Sequence, residues 1–134
     1  MAETESEELH QVANECVGLV AEQFGVSLDW SIDSLTALDG VCSDLLADGP
    51  LAGPRLDLWW KLVGAYTGEV VVRAYGGSWV RHEQAPGAFA IDALGITGFP
   101  FGLADRILSG EPFKSLASFA RTLPEIRPRS QRPS

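Results

Sequence analysis

One segment of the sequence places an acid, a base and a phenol where they can act together. Glu69 and Arg73 are four residues apart, and Tyr66 precedes Glu69 by three residues. On a helix, these spacings bring the side chains onto adjacent turns of one face. The three groups on a largely buried helix can form a ligand site, or Glu69 and Arg73 can form an internal ion pair. Both interpretations are open from the sequence.

Two aromatic side chains of the following segment extend this candidate site. Trp79 and His82 lie on a predicted strand that directly follows the helix. We therefore take Tyr66, Glu69, Arg73, Trp79 and His82 as the candidate ligand-binding residues. His82 has an alternative interpretation as a surface imidazole at the end of the strand.

The sequence contains no complete catalytic or metal-binding pattern. His10 and His82 are isolated from one another and from any Cys or acidic cluster, so we expect no metal site. Ser78 lacks the Gly-x-Ser-x-Gly elbow of a hydrolase nucleophile. Residues 64–68 carry two glycines but lie within a predicted helix, which argues against a phosphate loop. We predict no catalytic residue, no metal and no cofactor.

Hydrophobic periodicity predicts the elements that position the candidate residues. Apolar side chains recur every three or four residues along three helices, at 6–24, 32–47 and 56–75. Ser6 is expected to cap the first helix, and Ser31 or Asp29 the second. Gly25 and Gly76 are expected to end the first and third helices. The third helix is apolar on two faces, which predicts a central, buried position.

The second half of the chain predicts short strands followed by short helices. The predicted strands are 78–82, 88–91 and 94–97, and the predicted helices are 103–109 and 112–123. Pro124 is expected to end the last helix. The predicted fold is α+β: an N-terminal helical hairpin, a long central helix, and a small antiparallel sheet of two or three strands followed by two short helices. We expect one globular domain over residues 1–126 and a disordered basic tail at 127–134.

Gly64 and Gly68 lie four residues apart inside the predicted central helix. Glycine in a helix costs about 0.5–1 kcal/mol relative to alanine, so two of them indicate a specific requirement. The missing side chains allow another element or a ligand to approach the helix backbone closely.

The charge of the chain is unevenly distributed. Its 134 residues include 18 acidic and 10 basic side chains, for a formal net charge of −8. The first fifty residues contain acidic side chains but no Lys or Arg, whereas the remainder is slightly basic. An acidic body argues against nucleic acid as a partner, and acidic N-terminal helices favour a protein with a basic surface.

The sequence also predicts the compartment. The most apolar stretch, residues 56–75, is interrupted by four charged side chains, which argues against a membrane span. The first residues are acidic, unlike the start of a secretory leader. Cys16 and Cys42 fall on apolar helix faces, which favours buried thiols in a reducing compartment over a disulfide between the helices. We therefore expect a cytoplasmic protein.

Part of the chain resembles known families. The runs that carry the likeness are GAYTGEV at 64–70, GSWV at 77–80, FPF at 99–101 and LASF at 116–119. In this order they resemble small bacterial domain families of unknown function, in which a Gly-x-x-x-Gly-Glu helix precedes a Trp-bearing strand, a Phe-Pro-Phe step and a closing helix. The resemblance covers residues 56–123 and implies a bacterial, in particular actinobacterial, α+β domain. It implies no activity.

Two functions follow from these features. The first is a non-enzymatic accessory protein of the regulatory or immunity type, which binds a partner protein through its acidic N-terminal helices. The alternative is a small-ligand-binding protein or an enzyme with a site around Glu69, Arg73 and Tyr66. The absence of a catalytic pattern and the uneven charge favour the first.

Overall fold

The α+β class predicted from the sequence is confirmed. The computed structural model describes residues 3–126. Its helices are α1 (Glu3–Phe24), α2 (Ile32–Leu45), α3 (Gly53–Tyr75), α4 (Pro100–Leu108) and α5 (Leu116–Ile126). Its strands are β1 (Ser78–Arg81), β2 (Phe89–Ala93) and β3 (Ile96–Gly98). The predicted tail at 127–134 lies outside the described residues.

Helix α3 occupies the centre, as its apolar faces predict. Helices α1 and α4 pack along it, and β2 and β1 lie against it. Buried apolar side chains from all five helices and the sheet form one contiguous core. The first two helices were expected to pair chiefly with each other, but α1 packs mainly on α3, and α2 packs mainly on α5.

Most of the residues predicted to cap or end a helix do so in the structure. Ser31 caps α2 by accepting a hydrogen bond from the Ser34 N–H at 3.1 Å. Asp29 supports this cap by accepting bonds from the hydroxyl and the N–H of Ser31, and these bonds lower the pKa of its carboxyl. Gly25 and Gly76, with φ of 66° and 67°, follow the last residues of α1 and α3. Helix α1 extends to Glu3, before the predicted Ser6 cap.

The strands form an antiparallel sheet in the order β1–β2–β3. Trp79 pairs with Ile91, which in turn pairs with Gly98. The third strand is predicted to begin at Leu94, but Leu94 and Gly95 form the two-residue turn between β2 and β3. Their φ values of 55° and 76° are those of a type I′ hairpin, so the third strand starts at Ile96.

The predicted start of the last helix at residue 112 is wrong. Helix α5 begins at Leu116 because Asp39 of α2 caps it from another helix. The Asp39 carboxylate accepts hydrogen bonds from the Leu116 N–H at 2.7 Å, the Ala117 N–H at 3.2 Å and the Ser115 hydroxyl at 2.7 Å. This long-range cap fixes the first turn, and Phe113, which falls inside the predicted range of this helix, lies before its start and is fully exposed.

The predicted end of the last helix at Leu123 is also wrong, because α5 continues through Pro124 to Ile126. Proline has no N–H to donate to the carbonyl four residues earlier, which here belongs to Ala120. The Tyr75 hydroxyl donates to this Ala120 carbonyl at 2.9 Å. A side chain from α3 therefore replaces the hydrogen bond that Pro124 cannot make.

The predicted start of the helix at residue 103 is also too late. Helix α4 begins at Pro100, a first-turn proline.

Two further expectations concern membranes and cysteines. Over residues 3–126, no helix combines the length and the apolar character that crossing a membrane requires. Cys16 and Cys42 are free and buried, as predicted. Burial raises the pKa of each thiol to about 12, and for Cys42 the nearby Asp39 adds to this effect.

Candidate functional site

Glu69 is a buried carboxylate at the contact between α3 and the sheet. It is 8% exposed, and the Trp79 indole donates to its Oε1 from Nε1 at 3.1 Å. Strand β1 carries Trp79 back over α3 directly after the turn at Gly76. The structure thus brings two of the candidate residues into direct contact.

The two helix glycines make room for aromatic rings. A Cβ on Gly68 would overlap the Trp79 indole, and a Cβ on Gly64 would lie 2.5 Å from Cδ1 of Phe101. The rings of Trp79 and Phe101 stack on each other, with centroids 5.7 Å apart. Of the two explanations open from the sequence, close packing is therefore the one that accounts for the Gly-x-x-x-Gly spacing.

The second oxygen of Glu69 faces two basic side chains. Arg73 Nε lies 3.5 Å and His10 Nδ1 lies 3.7 Å from Oε2. The Arg73 guanidinium is also 3.3 Å from His10 Nδ1. Helix α1 supplies His10 and α3 supplies the other two residues, so the cluster fastens α1 to α3. Both oxygens of the carboxylate have protein partners.

Trp30 covers the outer side of this cluster. The Arg73 guanidinium carbon lies 4.1 Å from the Trp30 ring centroid, a distance at which a cation–π interaction is favourable. The His10 ring stacks on Trp30 with centroids 5.9 Å apart. Trp30 has a φ of 69°, an uncommon backbone conformation for a residue with a side chain.

Tyr66 stabilises the backbone conformation of Trp30. Among the described residues, its hydroxyl makes no hydrogen bond to Glu69, Arg73 or His10. The Trp30 N–H donates to the Tyr66 hydroxyl at 2.9 Å, and the Ser34 and Tyr66 hydroxyls are 2.6 Å apart. The Tyr66 and Trp30 rings also pack together, with centroids 4.9 Å apart. Burial raises the pKa of Tyr66, although the bonds from Ser34 and Trp30 oppose this effect. Its role is to hold the loop before α2 in place.

His82 lies away from the other four candidates. It follows the end of β1 on the surface, where its ring meets the Phe99 ring edge-on at 5.5 Å between centroids. The candidate set therefore divides into Glu69, Arg73 and Trp79 in one cluster, Tyr66 linked to it through Trp30, and His82 beside a different feature.

That feature is an open cleft of about 910 Å³ between β3, α4 and α5. Its lining includes His82, Phe99, Phe113, Phe119 and Ile126. Neither this cleft nor a smaller one of about 240 Å³ between α1 and α3 is lined by Glu69, Arg73 or Trp79. The carboxylate cluster is thus outside both clefts. Across residues 3–126, we find no group of three His, Cys, Asp or Glu side chains that can hold a metal ion.

Sequence reasoning missed three members of the Glu69 neighbourhood: His10, Trp30 and Ser34. They come from α1, α2 and the loop between these helices, and no local pattern connects them to α3. For one of them the sequence does contain a signal. Ser34 is a small polar residue within the apolar stripe of α2, where a polar residue needs a hydrogen-bond partner.

Comparisons of this chain with models of protein families, with curated proteins and with solved structures gave no match. The resemblance to bacterial families of unknown function therefore stays a prediction.

Proposed function

We propose that this protein is a non-enzymatic binding protein that docks a basic surface of a partner protein on its acidic N-terminal helices. The observation that carries the proposal is a stripe of three exposed carboxylates along α1. Glu8, Glu15 and Glu22 are spaced seven residues apart, which is close to two helical turns, so they share one face. We call these three residues the α1 stripe.

The region supplies no Lys or Arg of its own that could neutralise its carboxylates. The first fifty residues contain no Lys or Arg, and exposed acids on α2, among them Asp33 and Asp44, extend the negative surface. Two acids of the region pair with basic side chains from later in the chain: Asp33 with Arg121 of α5 at 2.9 Å, and Glu5 of α1 with Arg81 of β1. A surface of one sign accelerates the encounter with a partner of opposite sign.

The alternative, a small-ligand site or enzyme at Glu69, Arg73 and Tyr66, has weaker support. Both Glu69 oxygens and the Tyr66 hydroxyl already have protein partners, and the two clefts described above lie elsewhere. A general acid or base needs room for the substrate next to its proton-transferring atom. These contacts favour a structural role for the cluster.

We also propose a cytoplasmic location, because Cys16 and Cys42 are free thiols, which persist in reducing compartments.

The test of partner docking is affinity capture from cells that naturally contain the protein, with the intact chain and with the variant Glu8→Gln/Glu15→Gln/Glu22→Gln. A basic protein retained by the intact chain and lost with the variant supports the proposal. Partners that lack a basic surface, or that the variant retains equally, contradict it.

A further inference from the structure

The cleft between β3, α4 and α5 is lined by most of the large exposed apolar side chains of the described residues. Within residues 5–126, four large apolar side chains are exposed: Leu58, Phe99, Phe113 and Ile126. The last three all line this cleft. Clustered exposed apolar surface marks an interaction site on a soluble protein, whereas single exposed residues such as Leu58 are ordinary.

Phe113 is the most prominent of the three. It is fully exposed and has a φ of 64°, which is unfavourable for a residue with a large side chain. Three residues later, Asp39 binds the Leu116 N–H at 2.7 Å and so anchors the segment that presents Phe113. An aromatic side chain is thus held outward in a backbone conformation that only the surrounding structure maintains.

We propose that the cleft accepts Phe113 of a second copy of this chain, so that two copies form a two-fold symmetric dimer. A protruding ring and an apolar cleft lie side by side on the same face of the molecule. In a two-fold interface each surface patch meets its own copy, so each Phe113 enters the cleft of the other molecule. Phe113 itself lines the cleft, so a small molecule there would cover only the side of the ring that faces the cleft, whereas a second copy can also bury the outward side.

The charges of this face fit self-association. The lining carries one acid, Asp105, and two bases, Arg106 and Lys114, so a two-fold can bring the acid of one copy opposite a base of the other. The α1 stripe is not part of the lining. Its repulsion across the dimer falls off over a screening length of about 8 Å at physiological ionic strength. The surface of the cleft therefore carries charges of both signs, although the molecule as a whole is acidic.

Sedimentation equilibrium of the intact chain from about 1 to 300 µM tests the proposal. The expected result is a reversible dimer, whose dissociation constant rises on the order of 100-fold or more in Phe113→Asn, because the two-fold removes two buried rings at once. Asparagine tolerates a positive φ, so this variant is expected to keep the native circular-dichroism spectrum. Leu58→Gln is the matched control, because it removes an exposed apolar side chain outside the cleft and should leave the dissociation constant unchanged.

A second variant addresses the cleft itself. Ser118 is exposed on α5 and lines the cleft, so Ser118→Arg should fill it and weaken the dimer while Phe113 remains. A chain that is monomeric up to about 300 µM overturns the proposal. So does a dimer that neither Phe113→Asn nor Ser118→Arg weakens. Neither result bears on partner binding by the α1 stripe, which lies outside this lining.

Discussion

The Trp79 indole donates a hydrogen bond to the Glu69 carboxylate at 3.1 Å, and this bond joins the central helix to the first strand. The contact is possible because Gly68, the residue directly before Glu69, has no side chain to displace the indole. The same carboxylate also faces His10 of α1. Glu69 therefore links three elements of the fold, and its burial is explained without a substrate.

We expect Trp79→Phe to lower the free energy of unfolding by about 2–3 kcal/mol. Phenylalanine keeps most of the stacking on Phe101 but leaves Glu69 Oε1 without its donor, and an unpaired buried acceptor is costly. Glu69→Gln should cost less, about 1 kcal/mol, because its amide oxygen still accepts from Trp79 while the charge facing Arg73 is lost. Urea denaturation of the three proteins measures both values. A Glu69→Gln variant with unchanged stability would instead reopen the ligand-site alternative.

Two glycine substitutions should shift stability in opposite directions. Gly68→Ala places a Cβ into the Trp79 indole, and overpacking of this kind costs about 2–3 kcal/mol. Gly18→Ala in α1 meets nothing within 4 Å and gains helix propensity, so it should stabilise the protein by about 0.5–1 kcal/mol. Thermal unfolding compares the pair. Equal effects of the two substitutions would contradict close packing at Gly68.

The Tyr75 hydroxyl should contribute more to stability when residue 124 is proline than when it is alanine. Tyr75→Phe leaves the Ala120 carbonyl without a donor, and we expect a loss of about 1 kcal/mol. Pro124→Ala restores an N–H that can reach the same carbonyl. In that background Tyr75→Phe should cost measurably less, which a double-mutant cycle by chemical denaturation detects. Additive effects of the two substitutions would rule out this compensation.

Stability should fall at alkaline pH because of the two buried thiols. The pKa of Cys16 and of Cys42 is raised to about 12 by burial, whereas an unfolded cysteine ionises near 8.5. As the pH rises, the thiols therefore lose their protons in the unfolded state before they do so in the folded state. The stability that depends on the protonated thiols is fully present below the pKa of the unfolded state and is lost as the pH rises toward the pKa of the folded state. At pH ~10.5, each buried thiol should lower the free energy of unfolding by about 2–3 kcal/mol relative to neutral pH.

Urea unfolding at about pH 8 and about pH 10.5 measures this loss. Cys16→Ala/Cys42→Ala is the control, because it lowers stability at both pH values but should flatten the alkaline decline. Raised pKa values of Tyr66 and Tyr75 add a decline that remains in the control. Identical alkaline profiles for the two proteins would contradict the raised thiol pKa values.

The sequence predicted the elements whose signals are local. The caps at Ser31 and Gly76, the central position of α3 and the order of strands and helices all follow from periodicity and turn chemistry within a few residues. The errors in α5 have a different origin. Its start depends on Asp39, in a helix more than seventy residues earlier, and its passage through Pro124 depends on Tyr75. No pattern within residues 112–126 indicates either partner.

The candidate site was predictable to a similar extent. The helical spacing of Glu69 and Arg73 correctly indicated that they meet, because four-residue spacing is a local property. His10 and Trp30 reach the same carboxylate cluster through tertiary packing of α1 and the α1–α2 loop, and spacing contains no information about that. The sequence places His82 with Trp79 because both follow α3, but His82 lies beyond the end of β1 and contacts Phe99.

The central claim, partner docking on the α1 stripe, is tested most directly by association rates at low and high salt with the captured basic partner. Glu8→Gln/Glu15→Gln/Glu22→Gln is compared with Glu83→Gln/Glu111→Gln/Glu125→Gln, which removes the same charge outside α1 and α2. We predict that the first variant slows association about 10-fold at low salt and that the second leaves it nearly unchanged, because steering depends on where charges face the partner. Equal slowing by both variants would mean that only net charge matters, and would contradict the claim.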